Sequence, residues 1–433
     1  MTEIRRDSGL VRALGPWGLA ASVVSIVIGA GIFAAPGAIA AAIGPWAPLA
    51  FLACSLAVGA VAICFAEGGS RIATSGGPYG YIEAALGPLV GFTAGTLKWC
   101  GSVLSCAAVA AALADVVTSM TPADLARPIH AAVVIVVVGG VALVNVRGIR
   151  SGVRLIGVAT VLKLLPLFIF VAVGAFAVQR ANFALPATFA TAGPGRAVIL
   201  ALFSYTGMET ALCASGEVAQ PSRTIPRGLA LALITITVLY VSIQTVAQGI
   251  LGPALAGSTV PLAAAMGRIS PALRGLMLGG AALSMLGCVG ADILGSPRMI
   301  FALARDGLMP RVLGRVHERT HVPHVAILFY SALILVFALT GAFAELAAFA
   351  ALTVAALYIA GCLAAWRLAR RGVATAGEPL DFRWLGAAAT VGVGGMVIII
   401  GLASRAEILG LLALIAASVA AYFLQTRSAA AAT

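Results

Sequence analysis

Charged residues are scarce in this chain. They make up only 10% of its 433 residues, and lysine occurs only as Lys98 and Lys163, whereas a soluble domain contains roughly 25% charged residues. This scarcity excludes a soluble globular protein. Hydrophobic residues account for 61% of the chain, and its mean hydropathy is +1.08. We therefore predict an all-α polytopic protein whose main partner is the lipid bilayer.

The sequence also lacks the cysteine and histidine spacing of disulfide frameworks and metal sites. Its seven cysteines lie in apolar segments without a CxxC pair, so they are predicted to be small core residues. His317, His321 and His324 lie in an arginine-rich segment, which favours a solvated loop over a metal site. No nucleophile–base pair lies within an apolar segment. We predict no metal, no cofactor and no enzymatic activity, and an intramembrane enzyme or receptor is the least favoured class.

Twelve apolar segments are long enough to cross the hydrocarbon core, for which a helix needs about 20 residues. No stretch long enough for a separate soluble domain remains between them. The predicted spans are 17–42, 45–66, 80–115, 129–146, 152–178, 193–215, 228–250, 273–303, 323–341, 344–368, 384–403 and 406–425.

The net charge of +12 comes from arginines near the ends of these spans. With a cytoplasmic N-terminus, nineteen arginines fall on the cytoplasmic side and six on the outer side, as the positive-inside rule requires. An even number of spans puts the C-terminus in the cytoplasm as well. We therefore predict a multi-pass protein of the cell membrane and no nucleic-acid partner. The six outer arginines are Arg127, Arg180, Arg196, Arg268, Arg274 and Arg405.

Two spans contain glycine where a membrane helix is normally continuous. Residues 28–33 of span one read IGAGIF, and residues 203–209 of span six read FSYTGME. One isolated glycine pair would favour close helix packing. Two such stretches, each opening a set of five spans, instead favour broken helices, whose free backbone groups must line a cavity or bind a solute. The paired breaks predict a solute site near the bilayer midplane.

The spans are predicted to form an inverted repeat. Five is an odd number, so a second set of five spans enters the membrane from the opposite side, as in transporters whose site lies between two repeats. The predicted units are 1–178 for the first repeat, 193–370 for the second, and 384–425 for spans eleven and twelve. Removal of the last two spans should affect packing or oligomerisation first. A monomer and a homodimer both remain open.

Five segments together resemble the amino acid–polyamine–organocation transporters, the amino-acid permeases with the LeuT-type five-plus-five fold. These segments are 28–36, 75–81, 203–209, 216–227 and 305–310. The resemblance implies broken helices one and six, two additional C-terminal helices, and transport by alternating access. It is physically consistent with an amino acid, because a broken helix offers N–H groups to a carboxylate and carbonyl groups to an ammonium.

The resemblance also implies which residues bind the substrate. The carboxylate is expected at residues 29–31, and the ammonium at carbonyl groups near Val27 and within 203–206. Phe203 corresponds to an aromatic lid over the substrate in similar permeases, and a plain core aromatic is its alternative. The predicted substrate-binding residues of the two breaks are Val27, Gly29, Ala30, Gly31, Phe203, Ser204, Tyr205 and Thr206.

Lys163 lies nine residues beyond Arg154 in span five, or about 13 Å into the bilayer at the helical rise. A charge at the centre of a membrane helix costs at least about 2.5–3.5 kcal/mol, so it indicates function. In similar sodium-independent permeases, a lysine here replaces the sodium ion of related carriers. Lys163 is therefore predicted to bridge the first break and span eight, so that sodium is not required. It could carry a coupling proton or stay permanently charged.

Three further residues are predicted to form an inner gate. Lys98 and Tyr358 match gate positions of the arginine–agmatine antiporter branch, and Lys98 is a chemically sensible partner for Glu209. A static packing pair is the alternative. Asp292 in span eight matches an aromatic residue of that branch which faces the substrate. It could receive a cationic side chain or a polyamine nitrogen, or pair with Lys163.

These observations predict a sodium-independent secondary transporter of amino acids that works by proton-coupled symport or by exchange. An exporter of amino acids or amines is the alternative, as is an antiporter of polyamines or other cationic substrates. The substrate in either case is a small molecule, an amino acid or an amine.

Overall fold

The structure is a computed structural model. Helices are the only regular secondary structure in the residues that it describes. Ala30, Cys213, His321, residues 75–77 of the predicted segment 75–81 and residues 216–220 of the predicted segment 216–227 lie outside these residues. The described residues are 15–29, 31–72, 78–147, 153–184, 193–211, 221–305, 307–318, 320, 322–375 and 379–430.

Seventeen α-helices occur in the described part of the chain. They are α1 (Pro16–Val27), α2 (Gly31–Ile43), α3 (Ala47–Arg71), α4 (Pro78–Leu86), α5 (Pro88–Thr118), α6 (Ala126–Val146), α7 (Val153–Gly174), α8 (Gly193–Tyr205), α9 (Met208–Ala211), α10 (Pro221–Leu251), α11 (Pro261–Gly267), α12 (Pro271–Gly295), α13 (Pro297–Arg305), α14 (His324–Thr340), α15 (Phe343–Arg370), α16 (Leu385–Gly401) and α17 (Arg405–Ala430).

Several of these helices have the length and composition of membrane spans. Seven helical stretches are long and apolar enough to cross a membrane, and four shorter apolar helices accompany them. The predicted all-helical, multi-pass membrane protein is therefore confirmed. The number of twelve spans, the inverted repeat and the three units stay predictions. The seven stretches are Gly31–Arg71, Pro88–Thr118, Ala126–Val146, Arg223–Gly257, Pro271–Arg305, Phe343–Arg370 and Arg405–Thr426.

Apart from the two spans with glycine breaks, two predicted spans are each two helices in the structure, because α12 and α13 share the span 273–303 and α4 and α5 share the span 80–115. The segment 80–115 was expected to be continuous, but α4 ends at Leu86 and α5 begins at Pro88. Gly87 between them has a φ of +94°, a conformation that glycine adopts without the steric cost of a side chain. Proline at the next position suits the first turn of a helix, where its missing N–H is not needed. The apolar composition of both helices concealed this junction.

The longest helices pack in two groups beside the interrupted segments. α10 packs along α1 and α3, while α5 packs along α6, α12, α14 and α15. Small residues allow close approach between membrane helices. A Cβ atom at Gly101 of α5 would lie 2.3 Å from the Thr353 hydroxyl of α15. Because α8 packs against α2, α3 and α15, the second interrupted segment lies between the two groups.

The last helix has a largely apolar exposed surface. Leu409, Leu412 and Leu424 of α17 are each more than half exposed, which is expected of side chains that face lipid tails. α16 instead packs against α3 and α15, and α17 contacts α5 and α15. The C-terminal helices therefore cover the outside of helices that contain candidate site residues.

Candidate functional site

Two helices are interrupted, and their interruptions touch. α1 ends at Val27 and α2 begins at Gly31, while α8 ends at Tyr205 and α9 begins at Met208. A Cβ atom at Gly31 would lie 3.0 Å from Ser204 Cα. Gly207 has a φ of +111°, and a Cβ atom there would lie 3.1 Å from the side chain of Ile26. Glycine thus supplies both the left-handed turn and the space that bring the two segments into contact.

A tyrosine of α10 joins the ends of the two interrupted helices. The Tyr240 hydroxyl lies 3.1 Å from the Val27 carbonyl oxygen and 3.0 Å from the Ser204 carbonyl oxygen. The Val27 carbonyl also accepts from the Gly29 N–H at 2.8 Å. Because the hydroxyl donates only one hydrogen and each carbonyl oxygen has two lone pairs, the two carbonyls together retain hydrogen-bonding capacity. Tyr240 was not among the predicted site residues. A tyrosine inside an otherwise apolar span could have indicated it, because a buried tyrosine hydroxyl usually has a partner.

The remaining predicted residues of the second interruption have internal partners. Thr206 donates both its N–H and its hydroxyl to the Phe203 carbonyl, at 3.2 and 2.7 Å. The Tyr205 hydroxyl lies 3.1 Å from Thr237 Oγ1 and 3.3 Å from the carbonyl of Phe51. Of the carbonyls predicted to meet an ammonium, those of Val27 and Ser204 are therefore the two that converge on one point.

The first half of the second interrupted helix, α8, is fixed to the start of α15. The ring of Phe203, which is 4% exposed, packs edge-on against Phe343 with centroids 5.8 Å apart. Arg196 lies on the same face of α8, two turns earlier. It donates to the Ala344 carbonyl at 2.9 Å and pairs with Glu407 of α17 at 2.5 Å. The predicted aromatic lid thus contacts another aromatic residue.

Lys163 contacts the helix that precedes the first interruption. Its ammonium donates to the carbonyl of Ser25, and Lys163 is 9% exposed. On the other side, a Cβ atom at Gly29 would lie 3.0 Å from the sulfur of Cys288 in α12. These contacts connect α7 with α1, and the first interruption with α12. The sodium-replacing role of Lys163 stays a prediction.

The three predicted gate residues lie together. Lys98 of α5 pairs with Glu209 Oε1 at 2.7 Å. The second carboxylate oxygen of Glu209 accepts from the Tyr358 hydroxyl at 2.8 Å and from the Gly207 N–H at 3.0 Å. Glu209 is 1% exposed, and its negative charge is balanced by the ammonium and by two further donors. The arrangement closes one side of the interruption, although the role of a gate stays a prediction.

Asp292 binds hydroxyl groups. Its Oδ1 accepts from Ser102 at 2.5 Å and from Ser296 at 2.8 Å. Its Oδ2 accepts from Tyr330 of α14. No ion pair joins Asp292 to Lys163 among the described side chains. Of the two alternatives from the sequence, the pairing with Lys163 is therefore absent from this conformation.

A buried charge network that the sequence did not indicate lies at the end of α3. Arg71 pairs with Glu67 at 2.7 Å, donates to the carbonyl of Val373 at 3.1 Å, and pairs with Asp381. The N–H of Phe382 donates to the other carboxylate oxygen of Glu67 at 3.0 Å. We call residues 371–375 and 379–384, which lie between α15 and α16, the strap. The network fixes the strap to α3.

Comparisons with known proteins show which sequences this chain resembles. The sequence model described as amino acid permease matches residues 14–427. The branched-chain amino acid permease BcaP of Bacillus subtilis is 28% identical over 349 residues, which is 75% of this chain and 74% of the relative. The methylthioribose transporter of the same organism is 29% identical over 339 residues, or 73% and 72% of the two chains. A transporter of Mycobacterium tuberculosis is 35% identical over 353 residues, or 78% and 74%.

Proposed function

The chain belongs to the amino acid permease family, and on this premise we propose that it moves amino acids across the cell membrane by secondary active transport. One observation carries the proposal. The carbonyl groups of Val27 and Ser204, each at or next to the last residue of a helix, converge on a single hydroxyl oxygen of Tyr240. Because helix ends carry partial negative charge on their free carbonyl groups, this point suits the ammonium group of an amino acid.

The substrate carboxylate is proposed to bind at the start of α2. Helix N-termini attract anions through free N–H groups and the helix dipole. α2 begins at Gly31, where a Cβ atom would lie 3.0 Å from Ser204 Cα. The two charged groups of one zwitterion would therefore lie on opposite sides of the first interruption, as predicted from the glycine pattern.

The substrate side chain is proposed to be neutral. A cationic side chain needs a carboxylate, but Glu209 is paired with Lys98 and Asp292 is surrounded by hydroxyl donors. One relative is named as a permease for branched-chain amino acids, which agrees with a neutral, apolar side chain. Another is named as a methylthioribose transporter, so a neutral sugar thioether is a suitable competitor in the test.

We further propose that transport needs no sodium and is coupled to protons or to exchange. The Lys163 ammonium donates to the Ser25 carbonyl beside the first interruption, and a fixed cation there removes the need for a bound metal cation. Alternating access then moves the interrupted helices against α5 and the helices that pack along it, around the fixed site.

Uptake into proteoliposomes tests the proposal. Purified protein should accumulate labelled leucine, isoleucine, valine or alanine, with stimulation by an inward proton gradient or by unlabelled amino acid inside. Replacement of sodium by potassium should leave the rate unchanged. Arginine and putrescine should compete poorly, and methylthioribose serves as the neutral non-amino-acid competitor. Absence of amino-acid uptake and exchange under every gradient would refute the proposal, and a requirement for sodium would refute the role of Lys163.

A further inference from the structure

The turn between α16 and α17 lies directly on α8. We call residues 402–404 the α16–α17 turn. A Cβ atom at Gly195 of α8 would lie 2.9 Å from both the Cβ atom and the carbonyl oxygen of Leu402. Atoms in van der Waals contact lie about 3.5–4.0 Å apart, so a side chain at residue 195 would push the turn away. Glycine here keeps α8 and the turn in contact.

Arg196, the next residue of α8, joins this helix to two others. One terminal nitrogen pairs with Glu407 of α17 at 2.5 Å, and the other donates to the carbonyl of Ala344 in α15 at 2.9 Å. The guanidinium is planar, and its donors are fixed relative to one another. One arginine therefore holds the beginning of α8 against both α15 and α17.

Glu407 is held in position by the start of its own helix. Its Oε2 accepts from the Ser404 N–H at 2.9 Å and from the Ser404 hydroxyl at 2.7 Å, while Ser404 Oγ accepts from the Glu407 N–H at 3.3 Å. This reciprocal pattern is a capping box. It occupies one carboxylate oxygen and leaves Oε1 for Arg196. Pairing therefore requires little further ordering of the glutamate side chain.

The α16–α17 turn is anchored to helices other than α8. α16 packs along α3 and α15, and α17 contacts α5 and α15. The ring of Phe203 in α8 packs against Phe343 at the start of α15. If alternating access moves α8 away from α15, Arg196 loses Ala344 and Glu407 together, because both acceptors stay with the helices that α8 leaves.

We propose that Glu407 is a positioning residue for transport, which through Arg196 holds α8 against α15. It thereby keeps closed the side of the membrane at which α8 begins, the predicted outer side, and release of Arg196 is a step of each opening. This inference rests on the proposed transport function. It gives α16 and α17 a part in transport itself, whereas the sequence predicted effects on packing or oligomerisation first.

The strength of the pair suits a contact that breaks in every transport cycle. The side chains of Arg196 and Glu407 are 31% and 18% exposed, and partly exposed ion pairs stabilise a structure only weakly. Such a pair shifts an equilibrium between closed and open states by about two- to fivefold. It can therefore bias the closed state without preventing the opening.

A buried reporter on α15 measures how often α8 moves away. Ala347 lies one turn after Phe343 and is 0% exposed, and side chains four residues apart share one face of a helix. Purified protein with Ala347→Cys is treated with a water-soluble maleimide, and mass spectrometry follows the label on this residue. The native cysteines can stay, because the label is assigned residue by residue.

Glu407→Gln tests the ion pair. Glutamine is accepted in a capping box, so α17 can begin at the same place while the charge that Arg196 contacts is lost. Labelling should become about two- to fivefold faster. In an Arg196→Met background, Glu407→Gln should cause no further acceleration. Arg405→Gln is the matched control, since it removes a charge two residues away that has no ion pair among the described side chains.

Gly195→Ala tests the same contact without a change of charge. The added methyl group meets Leu402 at 2.9 Å, so this variant should also accelerate labelling. Gly401→Ala is its control, because an added Cβ atom there meets no neighbouring atom within 4 Å. If Gly195→Ala does not fold, the ion-pair variants decide alone.

Substrate affinity separates this role from a general loss of stability. In cells that take up leucine from the medium, Glu407→Gln should lower the half-maximal concentration by about two- to fivefold. The reason is that apparent affinity rises with the fraction of protein in the binding-competent state. General destabilisation would not tighten binding.

Unchanged labelling in Glu407→Gln would overturn the proposal, and so would equal acceleration in Arg405→Gln or a rise in the half-maximal concentration. Labelling of purified protein does not depend on transport. Normal leucine uptake by the parent with unchanged labelling in Glu407→Gln therefore refutes only the role of Glu407. Absence of uptake and exchange in the parent refutes the proposed transport function instead.

Discussion

Removal of the Tyr240 hydroxyl is the most direct perturbation of the proposed ammonium site. Tyr240→Phe keeps the ring, which packs against Phe51 and Tyr205 with centroids 5.5 and 5.4 Å away. It removes only the oxygen that lies 3.1 Å from the Val27 carbonyl and 3.0 Å from the Ser204 carbonyl. The variant therefore tests the hydrogen bonding between the two helix ends while the packing around the ring stays the same.

The expected loss follows from one hydrogen bond. The hydroxyl has a single hydrogen, so it donates to one of the two carbonyls at a time. A hydrogen bond contributes about 0.5–1.5 kcal/mol net, which corresponds to a loss of about 2- to 13-fold in substrate affinity if the hydroxyl fixes the position of the carbonyls. If the hydroxyl instead competed with the substrate ammonium for the same carbonyl lone pairs, Tyr240→Phe would bind the substrate more tightly than the parent.

Scintillation-proximity binding of labelled leucine to purified protein measures this change. Tyr205→Phe is the matched control, because its hydroxyl is equally buried but contacts Thr237 and the Phe51 carbonyl. Both variants should lose comparable thermal stability, and only Tyr240→Phe should lose affinity. Equal affinity of Tyr240→Phe and the parent would refute the convergence of Val27 and Ser204 as the ammonium site, whereas tighter binding would refute the positioning role of the hydroxyl.

Three other predictions use the same preparations. Lys163→Met should lower leucine uptake at least about fivefold, because it leaves the Ser25 carbonyl without this donor at a cost of about 1–3 kcal/mol; recovery on addition of sodium would contradict a requirement for the ammonium itself. Glu67→Gln should destabilise the protein by about 3–5 kcal/mol, since it breaks a buried pair, and unfolding in detergent measures this loss. Glu407→Gln should cost only about 0.2–1 kcal/mol, because both partners of the Arg196–Glu407 pair are partly exposed; a loss as large as that of Glu67→Gln would contradict this ranking.

The sequence located the interruptions because their cause is local. Glycine at residue 207 permits a positive φ that other residues avoid, and the end of α1 at Val27, just before Gly29, agrees with the same glycine pattern. The pairing of Lys98 with Glu209 could also be proposed, since an apolar chain with two lysines offers few partners. The Tyr240 contact joins residues 36 positions apart, and the Arg71–Asp381 contact joins residues 310 positions apart. Such contacts depend on helix packing, which no local pattern specifies.

The contacts of α15 with α8 and α9 explain how the interruption between these two helices permits movement. Near its start, α15 contacts α8 through Phe343, and fifteen residues later it contacts α9 through Tyr358. These contacts are about 22 Å apart along the helix at its usual rise. If α8 and α9 formed one continuous helix, a tilt that broke the contact with α15 at one end would also move the other end. Because Gly207 separates the halves, Phe203 can leave Phe343 while Glu209 keeps Tyr358, and the reverse movement is equally allowed. On the proposed transport function, the interruption would let each side open while the other stays closed, which is the requirement for alternating access.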